Sequence, residues 1–292
     1  MNTGSQFQYQ FQLDVDIRRT QPRSLFQAFG KFIYEVEWIR RQGPSIVLLK
    51  IDGAKANREA SFYVQLSCHL HIVRIFGLVE SNPDSLMLLQ ERTPLGDLAE
   101  LLRENNFRPT EKVLFEIFVQ LCEALIFLAY NGIVHGDLAC GNVLIFHQNP
   151  TEPINNLVKL TDFGLTRASP IYSVVDSSSS STITTVPVRY AAPEILQTMD
   201  GSNYSEKSDV YSMGVLMWEA CSQGTLPYQW IERDEDIRRR KQNNERLPRP
   251  ASCSHQLWTI INQCWHLKPQ NRPDFRLLKR SLLTLLFGSV SE

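Results

Sequence analysis

The pattern of apolar and polar residues divides the chain into a strand-rich first part and a helix-rich second part. Residues 31–38 and 45–50, separated by turn residues at 41–44, are predicted to be strands. Two more strands are predicted at residues 72–79 and 86–90, and the apolar spacing of residues 57–68 predicts a helix between the two pairs. The first part is therefore predicted to be a small sheet with one main helix.

Helical periodicity dominates the second part of the chain. Residues 110–130 form a long amphipathic segment that ends at an Asn-Gly pair, a typical helix stop. The mostly apolar residues 211–222 predict a buried helix, and residues 256–265 and 275–286 predict two more. The basic run Arg238 to Lys241 is interpreted as a solvated helix face, with substrate docking as the alternative.

Composition narrows the class of protein. The chain has 292 residues, and 43% of them are hydrophobic, which is enough for a substantial core. The net charge of −1 gives no electrostatic reason to expect nucleic acid as a partner. The six cysteines form no CxxC pair, which favours reduced thiols and a cytoplasmic location. No signal peptide is recognisable, and no membrane insertion is expected for this segment.

Three short motifs carry the candidate chemistry. The first, in residues 133–146, places Asp137 and Asn142 five positions apart, ahead of an apolar run. The second is the Asp-Phe-Gly of residues 162–164, and the third is the Ala-Pro-Glu of residues 192–194. Phosphoryl transfer assigns proton acceptance and metal binding to separate carboxylate and amide side chains.

In this order, the motifs resemble the catalytic loop, the magnesium-binding motif and the activation-segment anchor of protein kinases. The resemblance covers roughly residues 24–287 and implies an α+β, bilobal protein kinase fold. The small β-rich lobe is expected at residues 24–93, and the larger helical lobe at residues 94–287. Residues 1–23 are then expected to be an N-terminal leader, partly ordered at most, and residues 288–292 a tail.

The resemblance implies a catalytic role for five residues. Asp137 would accept the proton of the substrate hydroxyl. Asn142 and Asp162 would bind Mg²⁺, which prefers hard oxygen ligands. Lys50 would pair with the α- and β-phosphates of ATP, and Glu59 would hold Lys50 in an ion pair.

Further residues are expected to contact the nucleotide. Gly30 is the glycine that remains in the phosphate-covering loop, and Leu144 would form the floor of the adenine site. Gln90 would lie at the back of that pocket and limit access to it. The segment from Glu91 to Thr93 would offer backbone hydrogen bonds to adenine.

The resemblance also implies three structural contacts. Glu194 is expected to pair with Arg272 in an ion pair of the second lobe. Asp209 is expected to fasten the catalytic loop, and His135 to support the backbone of that loop.

Within the family, the chain looks most like the tyrosine kinases. Ala139 stands two places after Asp137, where serine/threonine kinases usually have a lysine. Residues 187–194 are similar to the tyrosine-kinase segment that makes a shelf for a phenolic side chain. The resemblance thus implies a signalling enzyme that uses ATP and Mg²⁺ to phosphorylate protein hydroxyls, mainly tyrosine. Its expected partners are a tyrosine-containing protein substrate and regulatory proteins.

Four features depart from the family pattern. Residues 25–30 keep only the last glycine of the phosphate-covering loop, and Leu48 replaces an alanine and narrows the adenine roof. Gly136 and Gly141 replace arginines. Without the first of these arginines, a phosphate on Tyr172 or in the Ser/Thr-rich residues 177–185 lacks its usual bidentate partner.

Two alternatives to a tyrosine kinase stay open, and the departures motivate the first of them. Gly136 and residues 47–50 resemble the pseudokinase domains of Janus kinases, although those lose the catalytic aspartate that is kept here as Asp137. The first alternative is therefore a pseudokinase scaffold with weak or no turnover. The second is a serine/threonine-specific kinase.

Overall fold

A computed structural model describes residues 10–28, 30–53, 56–80, 85–104, 106–168, 186–198 and 203–288. The chain divides into two compact units, residues 1–94 and 95–292, which we call the first and second unit. The expected division lay one residue earlier, after Thr93. Tyr172 and residues 177–185, which the sequence analysis singled out, lie outside the described residues.

The first unit is an antiparallel sheet with one helix. The strands are ordered β1-β3-β4-β6-β5, and β2 pairs with β3 beside β1. They span Ile17–Arg19 (β1), Phe26–Ala28 (β2), Lys31–Trp38 (β3), Ile46–Asp52 (β4), Ile75–Val79 (β5) and Ser85–Glu91 (β6). Helix α1, Ala56–Leu66, packs against β4, β5 and β6. The strands and the helix predicted for this part of the chain are confirmed, with bounds shifted by a few residues.

Strand β1 lies inside the segment that was expected to be a leader. It pairs with the end of β3, with Ile17 opposite Trp38, while β2 pairs with the beginning of the same strand. Ile17 is fully buried in a hydrophobic cluster of the sheet, and Phe11 packs against that cluster. The prediction of a leader over residues 1–23 is therefore wrong for residues 10–23, because these two apolar side chains stand too far apart to give a periodic signal.

The second unit is mainly helical. Its helices are Leu98–Arg103 (α2), Glu111–Tyr130 (α3), Pro193–Thr198 (α4), Glu206–Cys221 (α5), Asp234–Gln242 (α6), His255–Cys264 (α7) and Phe275–Phe287 (α8). Four short strands pair as β7 (Ile133–Val134) with β10 (Arg167–Ala168) and β8 (Val143–His147) with β9 (Leu157–Leu160). The α+β class is confirmed, and so are the long helices predicted from periodicity.

Capping side chains define where the main helices of this unit begin. The Thr110 hydroxyl accepts a hydrogen bond from the Val113 amide ahead of α3. Ser205 and Ser208 form a reciprocal capping box at the start of α5. Helix α3 packs against α8, and an ion pair between Lys279 and Glu123 at 2.6 Å joins them.

By length and composition alone, α3 is apolar enough to cross a membrane. Its most apolar 18-residue window has a mean hydropathy of 2.0 and is 67% buried inside the protein. Since the core helix of a globular unit meets the same criterion, this is weak evidence for a membrane span. Packing against α8, α5 and β9 buries much of this window.

Candidate active site

The β8–β9 pair brings two of the sequence motifs together. Val143 lies opposite Leu160, and the Thr161 amide donates to the Asn142 carbonyl oxygen at 3.0 Å. Asn142 directly precedes β8, and Asp162 follows the end of β9 by two positions. Both predicted metal ligands therefore lie at the same end of this pair of strands.

A hydrogen bond orients the carboxylate of Asp137. The Asn142 side-chain nitrogen donates to the Asp137 carbonyl oxygen at 2.7 Å and to its carboxylate Oδ2 at 3.2 Å. Both side chains are half-buried. Because the amide nitrogen of Asn142 points to Asp137, the amide oxygen is the atom that Asn142 can offer to a cation.

Asp209 and His135 hold the catalytic loop as predicted. The two carboxylate oxygens of the buried Asp209 accept from the amides of His135 at 2.7 Å and Gly136 at 2.9 Å. His135 accepts from the Asp137 amide at Nδ1, and its Nε2 lies 3.1 Å from the Thr161 carbonyl oxygen. This pairing fits the neutral tautomer with the proton on Nε2. Both predictions are confirmed.

Asp162 has a backbone conformation that few side chains adopt. Its φ is 64°, in the left-handed region that Asp tolerates better than most residues. Its Oδ1 accepts from the Gly164 amide at 3.0 Å, which partly offsets a strain on the order of 1–3 kcal/mol. The following Phe163 is buried, and its ring lies 5.3 Å from that of His135. The local fold therefore fixes the direction of the Asp162 carboxylate.

The oxygen ligands of this site fit Mg²⁺ better than a softer metal. Among the residues that the structure describes, no cluster of three or more His, Cys, Asp or Glu side chains could hold a metal ion. Asn142 and Asp162 would supply one amide and one carboxylate ligand. Mg²⁺ is commonly bound in this way, since it keeps waters and takes further oxygens from phosphates.

The predicted ion pair of the second unit is present. Arg272 donates from Nη1 and Nη2 to the two carboxylate oxygens of Glu194, at 2.7 and 2.8 Å. The Arg272 side chain is completely buried. This bidentate pair joins the start of α4 to the segment ahead of α8.

The ion pair predicted between Lys50 and Glu59 is not the one that forms. In the described part of the chain, Lys50 pairs with Asp52 at 3.0 Å, two positions along β4. Glu59, in the first turn of α1, pairs with Lys31 of β3 at 2.8 Å, and both side chains are nearly buried. The prediction is wrong because Lys31 reaches α1 from the neighbouring strand.

Gly30 has a structural reason for being glycine. It lies in the short connection from β2 to β3 with φ 79°, which favours glycine. Its carbonyl oxygen accepts from the Asp52 amide at 2.8 Å, and an added Cβ would lie 3.3 Å from the Asp52 carbonyl oxygen. The packing of the two strands accounts for this glycine, and its contact with phosphate stays a prediction.

The strand register contradicts the expectation that Leu48 and Gln90 line one adenine pocket. Directly opposed residues share a face of a sheet, and Leu48 is opposite Leu89 whereas Gln90 is opposite Val47. Gln90 therefore faces away from Leu48. Leu48 is also fully buried in the same hydrophobic cluster as Ile17, so it is covered by residues of its own unit.

The predicted adenine-binding backbone is partly engaged. The Glu91 amide donates to the Arg74 carbonyl oxygen, and the Arg92 amide donates to the Ser45 carbonyl oxygen, both at 3.0 Å. The Glu91 side chain accepts from the Arg74 amide at 2.7 Å. Glu91 and Arg92 would thus have to offer carbonyl oxygens, not amides, to a base. A backbone hydrogen bond from Thr93 to adenine stays a prediction.

Two other expectations concern single side chains of the second unit. Leu144 is half-buried on β8 and forms a β-bridge with Asp97. Its contact with adenine stays a prediction.

Lys241 was interpreted as part of a solvated face, but only 1% of its surface is exposed. That interpretation is wrong for Lys241, which shares the buried side of α6 with Ile237, four residues earlier.

A curled antiparallel sheet with one helix, followed by a helical unit that carries these three motifs, defines a protein kinase domain. The model of the protein tyrosine and serine/threonine kinase family matches residues 48–282, which is most of the chain. The chain belongs to this family. Phosphoryl transfer from ATP to protein hydroxyls is the activity that the family supports, for tyrosine and serine/threonine substrates alike.

Proposed function

We propose that this protein is a cytoplasmic tyrosine kinase that uses ATP and Mg²⁺. The hydrogen bond from the Asn142 amide to the Asp137 carboxylate carries the proposal, because it orients the base that the reaction needs. The geometry of both residues is set by the loop itself, with Asp209 holding the two amides just before Asp137. Such positioning, together with charge stabilisation, accounts for most of the catalysis of phosphoryl transfer.

Three residues of the second unit have separate roles in this mechanism. The Asp137 carboxylate accepts the proton of the substrate hydroxyl and aims its oxygen at the γ-phosphate. Asn142 and Asp162 would hold Mg²⁺, which would neutralise part of the phosphate charge. The hydrogen bond from the Gly164 amide, at 3.0 Å, orients the Asp162 carboxylate for this role.

Two features support tyrosine over serine or threonine. Ala139, two places after Asp137, is only half-buried and brings no cation to the site. The segment 187–194, which by resemblance supports a phenolic ring, is anchored by Arg189. Its guanidinium donates to the carbonyl oxygens of Pro227 at 2.9 Å and Tyr228 at 2.7 Å. A fixed shelf suits a long, rigid side chain.

A turnover assay with γ-labelled ATP and a pool of Tyr and Ser/Thr peptides tests the proposal. We expect label on phosphotyrosine and its loss in Asp137→Asn, which keeps the size of the side chain but removes the base. Asp234→Asn, an exposed change at the start of α6, is the matched control and should keep full activity. Phosphoserine alone would refute the tyrosine assignment, and an active Asp137→Asn would refute the mechanism.

The first unit supports a second candidate function, that of a pseudokinase scaffold. Leu48 is covered by the hydrophobic cluster, and Glu59 pairs with Lys31, so the expected nucleotide contacts of this unit are not preformed. A protein kinase domain that holds ATP weakly can act through its shape instead of through turnover.

Mg-ATP titration by thermal shift separates the two candidates. For a kinase we expect saturable stabilisation by Mg-ATP together with peptide turnover. Lys50→Met and Lys31→Met, made in parallel, identify the lysine that contacts phosphate, since its loss should weaken ATP stabilisation. Stabilisation without turnover would favour the scaffold, and neither stabilisation nor turnover would exclude the kinase.

A further inference from the structure

The segment 187–194 is held by a buried lysine of α6. The Lys241 Nζ donates to the carbonyl oxygen of Arg189 at 2.7 Å and to that of Ala191 at 2.9 Å. The hydroxyl of Ser212, on α5, donates to the intervening Tyr190 carbonyl oxygen at 3.1 Å. Side chains from two helices thus fix three consecutive carbonyl groups of this segment.

The surroundings of Lys241 are apolar and aromatic. Its Nζ lies 5.3 Å from the centroid of the Tyr211 ring and 5.4 Å from that of Tyr228. Burial and the nearby Arg189 lower the pKa of Lys241 well below its usual value. Burial of an amine here is costly, and a methionine would fill the space without that cost. The hydrogen bonds to the segment are therefore the contribution that only a lysine makes.

Arg189 anchors the same segment in a second direction. Its guanidinium donates to the carbonyl oxygens of Pro227, Tyr228 and Ile231, at 2.9, 2.7 and 3.1 Å. The backbone of Arg189 is bound to α6 through Lys241, while its side chain is bound to the loop ahead of α6. Lys241 and Arg189 therefore hold residues 189–191 in addition to a local turn, in which the Tyr190 and Ala191 amides donate to the Pro187 carbonyl oxygen, both at 2.9 Å.

We propose that Lys241 is a positioning residue that sets the conformation of residues 189–191 and thereby the affinity for the protein substrate. It does not touch the substrate itself. The inference rests on the proposed function, because the resemblance assigns residues 187–194 to the phenolic side chain. It predicts that loss of the amine impairs peptide binding and leaves the affinity for ATP unchanged.

Steady-state kinetics of Lys241→Met test the inference. We expect the KM for a tyrosine peptide to rise roughly ten-fold, since two buried hydrogen bonds are lost, with the KM for ATP unchanged. Arg239→Met is the matched control, a cation-to-methionine change on the same helix at a side chain that is 70% exposed, and should change neither value. Ser212→Ala should raise the peptide KM by a smaller factor.

Peptide binding to Asp137→Asn protein, measured by fluorescence anisotropy, gives a readout that does not need turnover. The inference would be overturned if Lys241→Met left the dissociation constant for the peptide unchanged. It would also be overturned if Lys241→Met weakened the binding of peptide and of ATP equally, or if the protein with Lys241 intact bound no peptide. If Lys241→Met does not fold, Ser212→Ala decides by the same criteria. A parent that binds peptide in a Lys241-dependent manner but never turns over would contradict the proposed function and leave the inference intact.

Discussion

Replacement of Arg272 by alanine should destabilise the second unit strongly. The guanidinium has five N–H donors, and each has an acceptor: the two carboxylate oxygens of Glu194 and the carbonyl oxygens of His266, Lys207 and Leu267. The Arg272 side chain is completely buried, and Glu194 is 14% exposed. Removal of the arginine would leave a largely desolvated carboxylate and three carbonyl groups without their partner.

The expected loss follows from the burial of this pair. Removal of one partner from a buried ion pair costs roughly 3–5 kcal/mol, because the other charge keeps its desolvation penalty. In a unit of this size, each kcal/mol lowers the Tm by about 2–4 °C, so a fall on the order of 10 °C is expected. The Tm of Arg272→Lys should lie between those of Arg272→Ala and the parent, since lysine keeps the charge but lacks the planar guanidinium.

Thermal unfolding followed by circular dichroism measures these values. Arg280→Ala, at an exposed position on α8, is the matched control and should change the Tm by no more than a degree or two. In the double variant Glu194→Gln/Arg272→Met, the unpaired charge is gone, and part of the stability lost in Arg272→Ala should return. A Tm of Arg272→Ala equal to that of the control would refute the reasoning.

Three further predictions concern buried positions. Burial raises the pKa of Glu219 to about 7, so its contribution to stability is present below about pH 4.5 and is lost as the pH rises through 7. In thermal unfolding, Glu219→Gln should therefore raise the Tm above that of the parent by more at pH 8 than at pH 5. Gly136 has φ 82°, and an added Cβ would lie 3.0 Å from the Leu165 carbonyl oxygen, so Gly136→Ala should cost about 1–3 kcal/mol in urea unfolding and slow turnover. Leu48→Ala should cost about 2–5 kcal/mol by the same measurement, whereas the exposed Leu25→Ala should cost little.

The features predictable from the sequence were those that local pattern or an uninterrupted motif specifies. Helix α3 was predicted because its apolar stripe is long and because Thr110 and an Asn-Gly pair mark its ends. The arrangement of Asp137 and Asn142 was predictable because five residues of one loop separate them. Glu194 and Arg272 lie far apart in the chain, and only the resemblance to a known family predicted their contact.

The features that could not be predicted depend on which strand or helix lies next to which. The Lys31–Glu59 pair follows from the position of β3 beside β4 and from the short connection into α1, neither of which periodicity specifies. The faces of Leu48 and Gln90 follow from the register of β4 with β6, which a shift of one residue would reverse. Lys241 has no sequence signal beyond its spacing of four from Ile237.

The two units differ in how far their functional residues are fixed in advance. In the second unit, hydrogen bonds within the unit hold Asp137 and Asp162, so no rearrangement is needed to orient the proposed base or the proposed metal ligand. In the first unit, Lys50 is paired with its neighbour Asp52, so phosphate would have to compete with that carboxylate for the ammonium group. If the protein turns over slowly, the cause should therefore be a high KM for ATP, and Asp52→Asn, which frees Lys50 of its charged partner, should lower that KM. A slow chemical step at saturating ATP would instead place the defect at Asp137.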